Sequence, residues 1–518
     1  MKIVAAIIFA VAVCSVCRHI STDRIVASCG SPSRVADELN AAIQLIRKYV
    51  PESQSFAIHV DDLKRMDSLH RQVIAAVSFD RLPNRVIVTD TEAEFLDSDW
   101  VLTGRWSLLD WQLSNNLTAY RMVDETPFLS LYTRVPSYCV LINDFSKMDI
   151  ASLMRMVVAA IFVFVLVGIV TVTCVGKFNR LSTEEMTAVI IVGIVLAILC
   201  ILTHTLRSPN GTAVYAGKAK LWCQLGMPHD FFTNKSWEVY LPAYPPGLTI
   251  LSGVYYLVAG VFDNWLVQIV PFAGSFWCMY ILYAYTRNIV NKSAVLLFFS
   301  LPTSVYLSCG FYAESYVALL MIIFFLRIEQ GRDGCLTWFL AGLAGIFKNE
   351  GLVFYIIACI SYSIIVRRVE FAKFLVGIVP ALVWYAVVIV SGGYLPGYEA
   401  NGFGTIFAHI FLVGEEIVWL LCHDLGIGVW GMVILPLFVW HLDMNKTCRL
   451  TATLTLTFVW LSLLSIIFIY GICTHWDITW RIKSSLFRFL WIPSVISFYG
   501  LLSIAQGVKR SMVDRKLL

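Results

Sequence analysis

The chain is 518 residues long, 58% of them hydrophobic and only 14% charged, with a net charge of +4. So apolar a composition excludes an ordinary soluble globular protein, and so small and scattered a positive charge argues for no nucleic-acid partner. Apolar runs long enough to cross a bilayer as a helix recur along the chain, which reads as a polytopic α-helical membrane protein. The 14 cysteines lie mostly inside those runs, where Cys behaves as a small hydrophobe. No Cys/His group has zinc-site spacing, so no metal site is expected. Cys14 and Cys17 have redox-motif spacing but sit in the first apolar run without an α/β pattern, and read as structural.

In chain order, residues 1–17 hold Lys2 and an apolar run without a small-x-small cleavage site, which predicts an uncleaved signal anchor. Residues 18–150 change character. Ser33–Tyr49 has helical periodicity, Ser55–Val60 reads as a strand and Asp61–Ala76 as a charged helix. Arg85–Val88, Trp100–Leu102 and Leu129–Thr133 are further short strand-type runs. Together they predict a small extracytoplasmic α/β domain. The clusters Asp90/Glu92 and Asp97/Asp99 read as turn and cap residues.

Residues 151–518 stay in the membrane. Lys and Arg concentrate at 177–180, 287–292, 327–332, 367–373, 446–449 and 509–516, and the positive-inside rule puts these segments in the cytoplasm. Simple alternation requires that Pro246–Phe262, preceded by Pro245, and Ile406–Cys422, which carries Glu415 and Glu416, do not cross. About twelve crossings follow, with both ends cytoplasmic. They fall near 2–17, 153–175, 187–206, 265–285, 293–309, 312–327, 336–347, 350–366, 372–391, 424–440, 449–472 and 486–506. The polar segments 207–248, 308–315, 348–351, 392–404 and 473–485 then all lie on the outer face, as an active site at a membrane surface would require.

The candidate residues lie in those segments. The outer loop 207–248 carries Lys218 and Lys220 on a short amphipathic helix with Trp222, the free acid Asp230, and the re-entry signal Tyr244-Pro-Pro-Gly247. Interfacial snorkelling is the plain alternative for the lysines. Asn116, Asn210 and Asn234 head formal glycosylation sequons. Glu314 opens a span, where a lipid-facing carboxylate costs about 2.5–3.5 kcal/mol, so it is expected in a polar cavity. Favourable placement at a helix N-terminus is the simpler account of it. Lys348 and Glu350 share a polar corner that suits a phosphate head group, or that simply pairs them. His475, Asp477, Arg481, Lys483 and Arg488 gather cations on the outer face, where an anion would be wanted; interfacial anchoring is the alternative.

Taken in order, Tyr215…Lys218-Ala-Lys220, Tyr244-Pro-Pro-Gly247, Gly310-Phe-Tyr-Ala-Glu314, Lys348-Asn-Glu-Gly351 and Ser485-Leu-Phe-Arg488 resemble the GT-C glycosyltransferases, in particular the bacterial mannosyl- and arabinosyltransferase-like branch. The resemblance covers roughly residues 187–500. It implies inverting sugar transfer outside the cytoplasm, with a polyprenyl-phosphate sugar as donor substrate and a glycan, lipid or protein as acceptor. The family's base is an acid in the first outer loop, with a second acid in the next. Glu314 matches the second, and Arg488, Lys348 and Arg481 are candidates for the phosphate. The place of the first acid is taken by Asn210, which cannot act as a base. Asp230 or Glu238 takes over, or Glu314 serves alone, or the chain is a catalytically inactive assembly subunit. A transporter of lipid-linked precursors is the alternative from another class; it would show an internal repeat and midplane charges, and neither is evident.

Overall fold

The computed structural model describes residues 56–59, 86–89, 100–104, 120–125 and 129–134 of the N-terminal region. Beyond these it describes 150–176, 179, 181–202, 210–228, 231–233, 241–260, 266–309, 311–393, 410, 412–415, 417, 446–472 and 486–516. The expected anchor at 1–17, the helix 61–76, the span 424–440 and most of 406–422 lie outside the described residues, as do Asp230, Glu238, His475 and Arg481.

The N-terminal strands are β1 (Phe56–His59), β2 (Val86–Thr89), β3 (Trp100–Gly104), β4 (Tyr120–Glu125) and β5 (Leu129–Arg134). They form one sheet in the order β2-β1-β3-β5-β4. β1 runs parallel to β2 and β3, pairing Ala57 with both Ile87 and Val101. β5 is antiparallel to β3 and β4, and the β4–β5 register shifts between Met122 and Asp124. Four strands coincide with the runs expected from the sequence. β4 (YRMVDE) lacks the alternation that marks a strand, and its pairing with β5 across three intervening residues defines it instead.

From residue 150 the described chain is helical. The elements are α1 (Ile150–Val175), α2 (Thr183–Leu202), α3 (Lys218–Leu225), α4 (Gly247–Ala259), α5 (Ile269–Tyr285), α6 (Ile289–Phe299) and α7 (Pro302–Cys309). They continue as α8 (Glu314–Glu329), α9 (Cys335–Gly342), α10 (Ala344–Phe347), α11 (Asn349–Val366), α12 (Phe371–Val390), α13 (Lys446–Ile472) and α14 (Phe487–Lys516). Among the described residues, seven helical segments are long and apolar enough to cross a membrane; they lie in α1, α2, α5, α11, α12, α13 and α14. α1 and α2 turn bare apolar side chains outward, including Ile161, Phe162, Ile169, Ile190, Ile194 and Ile198. Such a band is stable against hydrocarbon, not water. The protein is an integral, multi-pass membrane protein.

The shorter helices depart from a series of full crossings. α4 has 13 residues, about 20 Å at the helical rise, against a hydrocarbon layer of about 30 Å. The stretch 293–309, expected as one span, is two helices broken between Phe299 and Pro302. Pro302 has no N–H to give the Phe298 carbonyl four residues back. That carbonyl accepts instead from Leu301 N–H at 3.3 Å and from the Ser304 hydroxyl at 2.7 Å. The stretch 336–347 likewise divides into α9 and α10.

α8 is the axis of the bundle. Every side chain from Glu314 to Ile328 is buried, and the helix packs on α5, α9 and α14. A helix apolar all round belongs in such a core. Its C-terminal end meets the basic tethers. Glu329 there accepts from Tyr285 at 2.8 Å and from Tyr499. Asn179 donates to the Ala284 and Tyr285 carbonyls at 3.0 and 3.1 Å, Lys292 pairs with Glu185 at 2.5 Å, and Lys373 pairs with Asp333 at 3.2 Å. Glu314 stands at the opposite end, a helix of 16 residues and about 24 Å away.

Candidate functional site

Three helix N-termini converge at that opposite end. Glu314 is the first residue of α8, Lys348 is the extended residue that precedes α11, Glu350 lies in the first turn of α11, and Arg488 is the second residue of α14. The N-terminal dipoles favour the two acids where they stand. Lys348 Nζ donates to Glu314 Oε1 at 2.7 Å, and Arg488 Nη1 lies 3.8 Å from the same oxygen. Glu350 Oε2 is 3.9 Å from Lys348 Nζ. The Glu314 and Lys348 side chains are 1% and 3% exposed, those of Arg488 and Glu350 12% and 19%. Two acids and two cations are thus held together out of water, an arrangement that is stable only when each charge is answered by another.

Aromatic rings complete the walls. The Lys348 ammonium sits 4.2 Å from the Phe489 ring centroid, and the Arg488 guanidinium 4.8 Å from that of Tyr312. Tyr215 and Tyr244 meet edge to face at 5.9 Å, with Phe311 6.4 Å from Tyr215. Hydrogen bonding in the cluster is incomplete: Glu350 Oε2 and Arg488 Nε are buried without a hydrogen-bond partner. A buried polar atom left so costs about 1–3 kcal/mol, more when charged, and such atoms concentrate where a ligand supplies the missing bond. An apolar crevice between α11 and α13 starts at Glu350 and Phe489 and is lined further along by Val353, Ile357 and Ile466.

Small residues let these elements close. A Cβ on Gly351 would lie 2.0 Å from the Ala344 carbonyl oxygen, so only glycine fits the corner that aims Lys348 and Glu350. A Cβ on Gly247 would lie 2.9 Å from both the Ile346 oxygen and the Phe347 ring. The Tyr244-Pro-Pro-Gly247 turn is therefore pressed directly onto the residues before Lys348. Phe347 in turn stacks on Tyr316 of α8 at 4.7 Å.

Lys218 holds this turn from the other side. Its Nζ donates to the Leu241 carbonyl at 3.0 Å and the Tyr244 carbonyl at 3.2 Å, with the side chain fully buried. Burial pushes its amine down to about 7. Lys220 is buried as well. The helix that carries them is not laid on a surface with its lysines reaching for water, because loop carbonyls supply Lys218 with the acceptors that water would have offered. Asn210 opens a π-helical segment, Asn210–Gly217, that carries Tyr215 into the cluster and runs into α3.

Of the residues singled out from the sequence, the structure brings Glu314, Lys348, Glu350 and Arg488 together and sets Tyr244 beside them through Tyr215. It places Lys218 in the wall. Tyr312 and Phe489, which cover the two cations, were not singled out, although each lies within a quoted polar stretch or next to it. No family model, no curated protein and no solved structure matches this chain.

Proposed function

We propose that the protein is a GT-C-like glycosyltransferase that moves a sugar from a polyprenyl-phosphate donor to an acceptor at the extracytoplasmic face of the membrane. The observation that carries this reading is the buried four-charge cluster with unmet hydrogen bonds on Arg488 and Glu350, set at the head of an apolar crevice. A lipid phosphate matches the unmet donor: its oxygens accept from the unpaired guanidinium N–H of Arg488. Arg488 and Lys348 stabilise the phosphate as it leaves, an acid removes the acceptor proton, and sugar transfer proceeds with inversion.

In this reading the basic end of the bundle is cytoplasmic, the cluster is outside, and about twelve crossings bring both chain ends inside. Residues 18–150 form an exported α/β domain that presents the acceptor or a partner. Asn210 supports a second reading, a catalytically inactive relative, because it stands where the resemblance expects the first acid.

Transfer of radiolabelled sugar from a polyprenyl-phosphate pool, measured in membranes, tests the proposal. The wild type is expected to transfer sugar, with Arg488→Gln at least about 100-fold slower, the range for loss of a group that stabilises developing charge. Silence of the wild type together with activity gained by Asn210→Asp identifies the inactive relative. Silence of both removes the glycosyltransferase reading.

A further inference from the structure

We infer that Glu350, and not Glu314, is the residue that accepts the proton of the acceptor hydroxyl; this rests on the glycosyltransferase reading above and assigns a role within it. Both acids belong to the same buried cluster, but their surroundings differ. Glu314 Oε1 receives the Lys348 hydrogen bond at 2.7 Å and has Arg488 at 3.8 Å. Protonating that carboxylate would leave both cations with a neutral neighbour in a buried site, so Glu314 is held as the anion that positions them.

Glu350 has the opposite character. Its Oε2 is 3.9 Å from Lys348 Nζ, an ion pair beyond hydrogen-bond distance, and is buried without a hydrogen-bond partner. It has an acceptor position without a hydrogen bond, and its side chain is one of those lining the crevice. Arg488 Nε is the complementary orphan, a buried donor without an acceptor. A hydroxyl answers the first and a phosphate oxygen the second. These are the two groups that must flank an anomeric carbon during inverting transfer.

The charge count agrees. As the acceptor O–H gives its proton to Glu350 Oε2, its oxygen bonds to the anomeric carbon and the bond from that carbon to the phosphate oxygen breaks. The electron pair stays on the phosphate, so a diester with one negative charge becomes a monoester with two. Glu350 goes from one negative charge to none in the same step. The total charge of the enclosed site is unchanged, and the new negative charge develops beside Arg488 and Lys348 rather than in an apolar medium.

The test uses the full-length protein in lipid nanodiscs with two readouts: binding of undecaprenyl phosphate, and steady-state transfer from tritiated polyprenyl-phosphate mannose and polyprenyl-phosphate arabinose. Glu350→Gln is expected to lower kcat by about 10²–10⁴-fold, the span of general-base catalysis, while undecaprenyl phosphate binds within about 3-fold of wild type. Glu350→Asp should recover part of the rate at unchanged affinity. If Glu350→Gln fails to fold, Glu350→Asp carries the test alone through a kcat well below wild type at the same affinity. A kcat for Glu350→Gln within about 3-fold of wild type, or a loss of phosphate binding that matches the loss of rate, overturns the assignment and leaves the glycosyltransferase reading standing. A wild type that transfers neither sugar and binds no undecaprenyl phosphate overturns both.

Discussion

Glu314 answers two cations, whereas Lys348 has a second acid, Glu350, 3.9 Å away. That asymmetry predicts an order of stabilities. Glu314→Gln leaves Lys348 with only the more distant Glu350 and removes the acid beside Arg488, and should destabilise the protein by about 3–5 kcal/mol, the cost of breaking a buried pair from one side. Lys348→Met should cost less, because Arg488 remains 3.8 Å from the Glu314 carboxylate and the acid left without its cation, Glu350, is the more exposed of the two. Thermal unfolding of the two variants in detergent gives the order directly, and a Lys348→Met protein less stable than Glu314→Gln would contradict it. Each of the four charged residues stood out in the sequence because ionisable side chains are rare in apolar helices. Their pairing did not, since Glu314 and Lys348 are 34 residues apart and meet only when α8 and α11 are in place. Lys218 shows the limit from the other side. The pattern of an eight-residue helix does not distinguish water from loop carbonyls as the acceptor for a lysine.

The elements that aim the cluster depend on close backbone contact. A Cβ on Gly342 of α9 would lie 1.6 Å from the Gly377 carbonyl oxygen of α12, which places these helices in near contact at that crossing. Small residues at such crossings replace the hydrophobic driving force that is weak between helices in lipid. α9 leads through α10 into Lys348, so forcing α9 and α12 apart also moves the corner. Gly342→Val is therefore expected to lower both stability and the affinity for undecaprenyl phosphate, with an overpacking cost of about 1–3 kcal/mol. A variant with wild-type unfolding and binding would show that the crossing does not position the site. Helical stretches were readable from their apolar length, and the ends of α1, α5, α11 and α12 fall within a few residues of expectation. The breaks were not. The run at 293–309 is mostly apolar, and the division at 300–301 depends on Pro302, which lacks an N–H for the Phe298 carbonyl, and on the Ser304 hydroxyl, which donates to that carbonyl instead. Likewise β4 follows from its neighbour β5 rather than from any pattern of its own.

At the scale of the molecule, α8 separates two chemically unlike ends. Basic segments, tyrosines and Glu329 meet at its C-terminus, and the four-charge cluster, the rings of Tyr215, Tyr244 and Tyr312, and the apolar crevice meet at its N-terminus. The sorting of basic from mixed-charge segments was legible in the sequence as a difference in the Lys and Arg content of the segments between apolar runs. The resemblance to sugar transferases rests on the order of short motifs, and the structure adds that several of these motifs share one site. The central claim is that this site takes an anionic lipid head group between Lys348 and Arg488, and the direct measurement is ligand-dependent thermal stability of the purified protein in detergent. Undecaprenyl phosphate should raise the unfolding temperature of the wild type, undecaprenol should not, and Arg488→Gln should lose most of the response. Equal stabilisation by the alcohol, or a phosphate response that survives Arg488→Gln, would contradict the account.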